Sequence, residues 1–238
     1  RRARARPPSA RTSTTRGSPR GIAAPRRATR REGATRDARR EEKRRDERRA
    51  AMNLPKLIVF DFDLTILRIH SWAERVAAED VPHRDLDADV ADAAFFRAFV
   101  ERARARDVPV AVASFGAFET IKAYLDRVCG EGVFTRANID TPSMHGGKDG
   151  TVVRGGKVPM LRALTTALVG ADGGGGTETE AAVRAAPRVL FFDDDEKNVT
   201  GAREHGYVMS VLTDACFTRE KWDEVKAGLG MEAFMDGA

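Results

Sequence analysis

The sequence is poor in cysteine and in long apolar runs. Only two cysteines occur among the 238 residues, which excludes a disulfide framework and fits a reducing compartment. Nothing in the sequence around Cys129 or Cys216 indicates a group that would activate the thiol, so we expect both cysteines to be structural. No apolar run approaches the roughly 20 residues that are needed to span a bilayer. We therefore expect no membrane partner.

Acidic residues are also missing from the start of the chain, because none precedes Glu32. Residues 1–51 hold 19 Lys and Arg against 6 Asp and Glu, whereas residues 52–238 hold 22 against 30. The positive charge of the chain therefore lies in its first segment, and the remainder is acidic. An acidic domain has no general electrostatic attraction for nucleic acid, so we expect it to have no nucleic-acid partner.

Large apolar residues are almost absent from residues 1–51, which predicts a disordered basic arm. An Arg- and Ser-rich, acid-poor segment is typical of an organellar transit peptide. Because the chain begins with Arg and Met52 stands just before the first apolar run, the arm is also typical of a gene model extended upstream of the true start. A basic arm that contacts nucleic acid or anionic membrane is the third interpretation, and the sequence favours it least. The expected location is cytoplasmic, or plastid or mitochondrial if the arm is a transit peptide.

Residues 52–238 alternate short apolar runs with amphipathic segments. The runs predict buried strands, at 57–60, 108–114, 133–139, 188–193 and 207–212. The amphipathic segments predict helices, at 87–107, 117–130, 158–170, 198–206 and 218–230, and the Gly-rich segment 171–186 predicts a surface insertion that begins as a flexible linker. This alternation predicts one α/β domain, a doubly wound, Rossmann-like parallel sheet with helices on both faces.

Polar residues follow the predicted strands. Asp61 and Asp63 follow the first, Ser114 closes the second, and Asp193–Asp195 end the "VLFF" strand, while Lys157 stands at the start of a helix. Because ligands of such sheets bind at the carboxyl ends of the strands, we expect these side chains to converge on one edge.

Adjacent carboxylates at a partly buried edge repel one another, and a hard divalent cation would relieve that repulsion. Mg²⁺ prefers oxygen ligands and leaves positions for water and phosphate oxygens. A hydroxyl and an ammonium are suitable donors to phosphate oxygens, a carboxylate can attack phosphorus, and a second carboxyl can serve as general acid and base. The set therefore indicates Mg²⁺-dependent phosphoryl chemistry.

The segment "DFDLT" (61–65) resembles the DxDxT motif of the haloacid dehalogenase-like (HAD) phosphohydrolases, and "DDDEKN" (193–198) resembles their late acidic motif. The resemblance spans residues 56–212, with Ser114 and Lys157 at the two intermediate positions. It implies Asp61 as nucleophile and metal ligand, and Asp63 as general acid and base that binds metal through its carbonyl. It further implies Ser114 and Lys157 as phosphate ligands and Asp193 as the second metal carboxylate. Asp194 is expected as a partner of the metal, directly or through water.

Several residues have simpler interpretations. Ser114 is also a candidate cap for the following helix. Asn198 is most simply the N-cap of the helix predicted at 198–206, and a hydrogen bond from it into the site is the further interpretation. Lys148 competes with Lys157 for the phosphate role, and the helix start favours Lys157. No histidine receives a role, and Trp72 is expected to be a packing residue.

The intervals 66–113 and 115–156 are too short for a full cap domain once their core helices and strands are counted. By analogy with the short capless members, which resemble magnesium-dependent phosphatases, an open site implies a phosphorylated substrate that is either a protein phosphoresidue or another bulky phosphate. The oligomeric state is not indicated.

Three functions fit these residues. The first is an HAD-like phosphatase that hydrolyses a phosphomonoester through an aspartyl-phosphate on Asp61. The second is a catalytically silent module that binds phosphate or a phosphoprotein on the same fold, which the intact Asp63 disfavours. The third is a receiver-like phosphoacceptor domain, and the early position of Asp61 and Asp63 disfavours it, because receivers carry the phosphoacceptor on a middle strand.

Overall fold

A computed structural model of the chain describes Glu41, residues 54–170 and residues 177–236. The chain divides into two units, Arg1–Arg48 and Arg49–Ala238, and the fold below is that of the second. The predicted disordered arm lies outside the described residues, apart from a helical, exposed Glu41.

Five parallel strands form a single sheet in the order β3-β2-β1-β4-β5. The strands are β1 (Leu57–Phe60), β2 (Val110–Ala113), β3 (Ile139–Asp140), β4 (Val189–Asp193) and β5 (Met209–Leu212). The central strand β1 pairs with β2 on one side and with β4 on the other, in registers that place Phe60 beside Val112 and Phe192. The carboxyl ends of β1, β2 and β4 therefore lie side by side.

Seven α-helices connect or follow these strands within the described residues: α1 (Leu86–Asp89), α2 (Ala93–Arg104), α3 (Phe118–Cys129), α4 (Val158–Val169), α5 (Glu178–Ala185), α6 (Glu196–Glu204) and α7 (Arg219–Val225). Three short 3₁₀ segments lie at Val81–His83, Pro142–His145 and Ala186–Arg188. No helix in this part of the chain is both long and apolar enough to cross a bilayer.

The two faces of the sheet carry separate apolar cores, because successive side chains of a strand point to opposite faces. Ile58 and Phe60 pack with the aromatic residues of α2 and with Trp222 of α7, whereas Leu57 and Val59 pack with the buried face of α4 and with Ala202 of α6. Strands buried on both faces explain the unbroken apolar runs in the sequence. The fold is thus the predicted doubly wound, Rossmann-like α/β fold.

Several boundaries differ from the prediction; the helix predicted at 218–230, for example, is α7 and ends at Val225. The helix predicted at 87–107 is two helices, because the Asp92 carboxylate accepts a hydrogen bond from Phe95 N (3.0 Å) and starts α2 anew. The strand predicted at 133–139 is reduced to Ile139–Asp140. The predicted insertion contains α5, which begins with a capping box between Thr177 and Glu180, while residues 171–176 are outside the described part.

The connections that would carry a cap domain are short. Residues 61–109 contain one 3₁₀ turn, α1 and α2, and residues 114–157 contain α3, β3, a 3₁₀ turn and a glycine-rich loop. Neither connection forms a separate domain, so the carboxyl edge of the sheet is covered by loops alone.

Candidate metal and phosphate site

The predicted site residues meet at the carboxyl edge of the sheet. Asp61 follows β1, Ser114 follows β2, Asp193 ends β4 and Asp194 comes next, while Lys157 precedes α4. Because β1 lies between β2 and β4, Asp61 is the middle member of this row. The residues Asp61, Ser114, Asp193 and Lys157 are all buried. Three of them are ionisable, and ionisable groups are seldom buried unless they are paired.

Lys157 holds the centre of the site. Its Nζ donates to Asp61 Oδ1 and to the carbonyl of Ala113 (2.6 Å), and it lies 3.9 Å from Asp193 Oδ2. Gly155 and Gly156 precede it with φ of +91° and +65°, conformations that glycine adopts without strain. This turn brings the lysine over the sheet edge. Lys148, the competing candidate, is exposed in the loop.

Asp193 is fully buried and strongly hydrogen-bonded. Its Oδ1 accepts from Asp195 N (2.9 Å) and from Asn198 Nδ2 (3.0 Å), and its Oδ2 lies 3.2 Å from the same Asn198 Nδ2. Burial, reinforced by the nearby Asp61 carboxylate, raises the pKa of Asp193 to about 7. The position is therefore one where a negative charge requires a further cation.

Asp61, Asp193 and Asp194 fit a divalent cation. Each offers a carboxylate oxygen, and these oxygens lie within 4.8 Å of one another. Burial and the Asp61 charge also raise the pKa of Asp194, to about 6. A donor set made only of oxygens suits a hard cation such as Mg²⁺, and a cation here would offset the repulsion that raises both pKa values.

Asp63 is held by the loop that follows β1. Its Oδ1 accepts from Ser71 N (3.0 Å) and Ser71 Oγ (2.7 Å), and its Oδ2 lies 3.1 Å from His70 Nδ1. Burial raises the pKa of Asp63 above its ordinary value, although the hydrogen bonds from Ser71 act in the opposite direction. Since Ser71 occupies Oδ1, a proton on this carboxyl belongs on Oδ2, the oxygen beside His70.

Ser114 does not cap the next helix. Its Oγ accepts from Gly116 N (3.1 Å), whereas the N-cap residue of α3 is Ala117, which provides no side-chain cap. The hydroxyl hydrogen of Ser114 remains available to an acceptor in the pocket.

The site opens into a pocket of about 280 Å³. Its lining includes the polar or charged residues Asp61, Asp63, Ser114, Lys157 and Asp194 and the apolar residues Leu64, Trp72 and Val152. All the predicted site residues except the fully buried Asp193 therefore face a single cavity, and Asp193 lies behind it.

Two features were missed by the sequence analysis. His70 and Ser71 contact Asp63. Trp72 lines the pocket and is half exposed (49%), so packing accounts for only part of its surface. For Asn198 the predicted N-cap is wrong, because Asp195 caps α6 by accepting from Lys197 N (2.8 Å) and Asn198 lies inside the helix. The hydrogen bond into the site that was also considered is present, because Asn198 Nδ2 donates to Asp193. The sequence signal for the contact between Asn198 and Asp193 was the "DDDEKN" segment, which begins with Asp193 and ends with Asn198.

Compared with known proteins, the chain matches no protein-family model and no curated protein. The functional argument therefore rests on the residues of the site.

Proposed function

We propose that this protein is a Mg²⁺-dependent phosphatase that hydrolyses a phosphomonoester through an aspartyl-phosphate on Asp61. The observation that carries the proposal is the convergence of an acid pair, a hydroxyl, a buried ammonium and a three-carboxylate cluster on one pocket. Each member has a separate part in phosphoryl transfer, and a site that only bound a cation would not need the others.

In the first half-reaction, Lys157 and Ser114 hold non-bridging oxygens of the phosphate, which places phosphorus next to Asp61. An Asp61 carboxylate oxygen attacks phosphorus, and the bond from phosphorus to the ester oxygen breaks. The leaving oxygen takes the proton from Asp63 Oδ2 and departs as an alcohol. The raised pKa of Asp63 supports this role, because burial favours the protonated form that a general acid needs.

In the second half-reaction, Asp63 is a carboxylate and accepts a proton from water. The water oxygen attacks phosphorus of the acyl phosphate, the bond to Asp61 breaks, and inorganic phosphate leaves. The cycle ends with Asp61 ionised and Asp63 protonated, so atoms and charge balance.

Asp61, Asp193 and Asp194 would hold Mg²⁺, together with the carbonyl of Asp63 if the resemblance to HAD phosphohydrolases holds. The cation supplies electrostatic stabilisation of the phosphate charge. In the same arrangement Asn198, which also lines the pocket, donates to the Asp193 carboxylate and orients it, which is how ligating carboxylates are commonly held.

The proposal is tested on the full chain with p-nitrophenyl phosphate, with and without Mg²⁺. We expect turnover that requires the metal and that is lost in Asp61→Asn. The matched change Asp195→Asn should keep it, because Asp195, although it lines the pocket, caps α6 with its carboxylate and is not a member of the three-carboxylate cluster. Metal-independent turnover, or equal activity of Asp61→Asn, contradicts the proposal. Mg²⁺-dependent phosphate binding without hydrolysis of any ester would favour the silent binding module instead.

A further inference from the structure

We propose that Trp72 forms a binding subsite for a planar, apolar leaving group, so that the preferred substrates are phosphate esters of aromatic or heteroaromatic alcohols. This inference rests on the proposed phosphatase function and adds the chemical class of the substrate. The inference starts from the apolar residues of the pocket lining, Leu64, Trp72 and Val152, which have no part in the proposed phosphoryl chemistry.

Exposed apolar side chains gather at this pocket. Among the described residues, six large apolar side chains are classed as exposed, and three of them, Leu64, Trp72 and Val152, line the same cavity. Scattered single residues of this kind need no explanation, whereas several that line one pocket together with charged groups indicate a ligand with an apolar part.

The indole of Trp72 is fixed in place by the loop that crosses it. A Cβ on Gly150 would lie 2.0 Å from Trp72 Cε2, so the indole packs directly against the glycine backbone, whose φ is +84°. Gly150 N donates to Phe115 O (2.5 Å), which anchors the loop at this point. The preceding Asp149 accepts from Ser143 N (3.1 Å) and Phe118 N (3.3 Å). One side of the ring is thus supported by protein, while almost half of the residue's surface remains open.

The direction of the reaction points the leaving group toward this ring. In an in-line displacement the leaving oxygen lies opposite the attacking Asp61 oxygen, and it must also lie near its proton donor, Asp63. Asp63 is bound to Ser71, the residue immediately before Trp72. The body of the leaving group therefore extends along the segment that carries the indole. A preorganised aromatic surface stacks on planar groups at little entropic cost.

The test compares KM for three alkyl phosphates on the full chain: benzyl, cyclohexylmethyl and glycerol 3-phosphate. All three esters release a primary alcohol, and the leaving groups of the first two differ in the planarity of the ring. We expect benzyl phosphate to have the lowest KM, and Trp72→Ala to raise that KM about tenfold with little change for glycerol 3-phosphate. Trp72→Phe should retain part of the preference. The control is Met144→Ala, which alters a comparably exposed side chain (50%) outside the pocket lining and should change nothing.

Equal KM values for benzyl and cyclohexylmethyl phosphate, or an equal effect of Trp72→Ala on all three esters, overturn the subsite. A larger effect of Trp72→Ala on phosphocholine than on benzyl phosphate also overturns it, because the indole would then serve a cation. If no ester is hydrolysed, the phosphatase proposal fails. The subsite is then tested by calorimetric titration with benzylphosphonate and methylphosphonate in Mg²⁺: a preference for the benzyl compound that Trp72→Ala removes supports it, and equal affinities overturn it.

Discussion

At the scale of single residues, three adjacent aspartates have three different environments. Asp193 is fully buried behind the pocket, Asp194 is partly buried and lies within reach of Asp61, and Asp195 is exposed and caps α6. Their chemical identity is the same, so burial and hydrogen bonding alone decide which of them can serve a cation.

We therefore predict graded effects of Asp→Asn changes at these positions. Asp193→Asn should abolish Mg²⁺-dependent activity, Asp194→Asn should weaken it, and Asp195→Asn should be nearly silent, since Asn is as good an N-cap as Asp. The measurement is the Mg²⁺ dependence of kcat/KM for each variant. Equal losses at all three positions would show that the assignment of roles is wrong.

His70 gives a second prediction at this scale. Its Nδ1 lies 3.1 Å from Asp63 Oδ2, so His70→Ala should leave the proton-donating oxygen less well placed. Protonation matters most for a poor leaving group, because p-nitrophenolate is stable enough to depart without a proton. We expect kcat to fall about tenfold for glycerol 3-phosphate and much less for p-nitrophenyl phosphate.

Asp63→Asn is the reference for this experiment, because it removes the general acid itself and should show the same substrate dependence more strongly. If His70→Ala lowers kcat equally for both substrates, the change has damaged the loop as a whole, and His70 has no specific role in positioning Asp63.

At the scale of elements, the loop between β3 and α4 joins parts of the fold that are distant in sequence. Asp149 accepts from Ser143 N and from Phe118 N, the first residue of α3, whose N-cap Ala117 offers no side-chain cap. Asp149 thus substitutes for the missing cap from outside the helix.

We expect Asp149→Ala to lower the free energy of unfolding by about 1–2 kcal/mol, the usual cost of a lost cap together with an unsatisfied donor. Asp149→Asn, which keeps an acceptor oxygen, should lose less. Urea denaturation measures both changes, and identical stability of the Ala variant and the unaltered protein would contradict the capping role.

The elements also show what sequence patterns can and cannot predict. The apolar runs at Leu57–Phe60 and Val189–Asp193 and the polar residues after them predicted the sheet and the meeting of Asp61 with Asp193, because parallel strands share one carboxyl edge. Helix starts were less predictable where several capping residues are adjacent, as at Asp195 and Asn198. The position of Trp72 could not be predicted, since it depends on the packing of one loop against Gly150 of another.

At the scale of the whole molecule, the order of the strands explains the position of the site. The central strand β1 carries Asp61 between the ends of β2 and β4, so the proposed nucleophile has Ser114 at the end of one neighbouring strand and Asp193 at the end of the other. Within the described residues, the carboxyl groups of Asp61, Asp63, Asp193 and Asp194 gather around a single buried ammonium, that of Lys157. Without a cation, this edge should destabilise the fold whenever the carboxylates are ionised.

This imbalance predicts how the stability of the protein depends on pH and on Mg²⁺. The pKa of Asp193 is about 7 and that of Asp194 about 6 in the folded protein, both above the ordinary value of 3.8. At pH values between 3.8 and the raised pKa values, the folded state binds more protons than the unfolded state. The metal-free protein should therefore lose stability as the pH rises from about 4 to about 7.

The proposed function has Mg²⁺ bound by the ionised carboxylates, so Mg²⁺ should raise the melting temperature much more at pH 8 than at pH 5. The matched variant is Asp193→Asn, which removes the charge and keeps the size of the side chain. It should melt higher than the unaltered protein at pH 8 without metal, and it should respond little to Mg²⁺. Thermal denaturation at the two pH values, with and without the metal, provides all of these comparisons. A Mg²⁺ response that is equal at both pH values, or that survives in Asp193→Asn, would mean that the cation binds elsewhere.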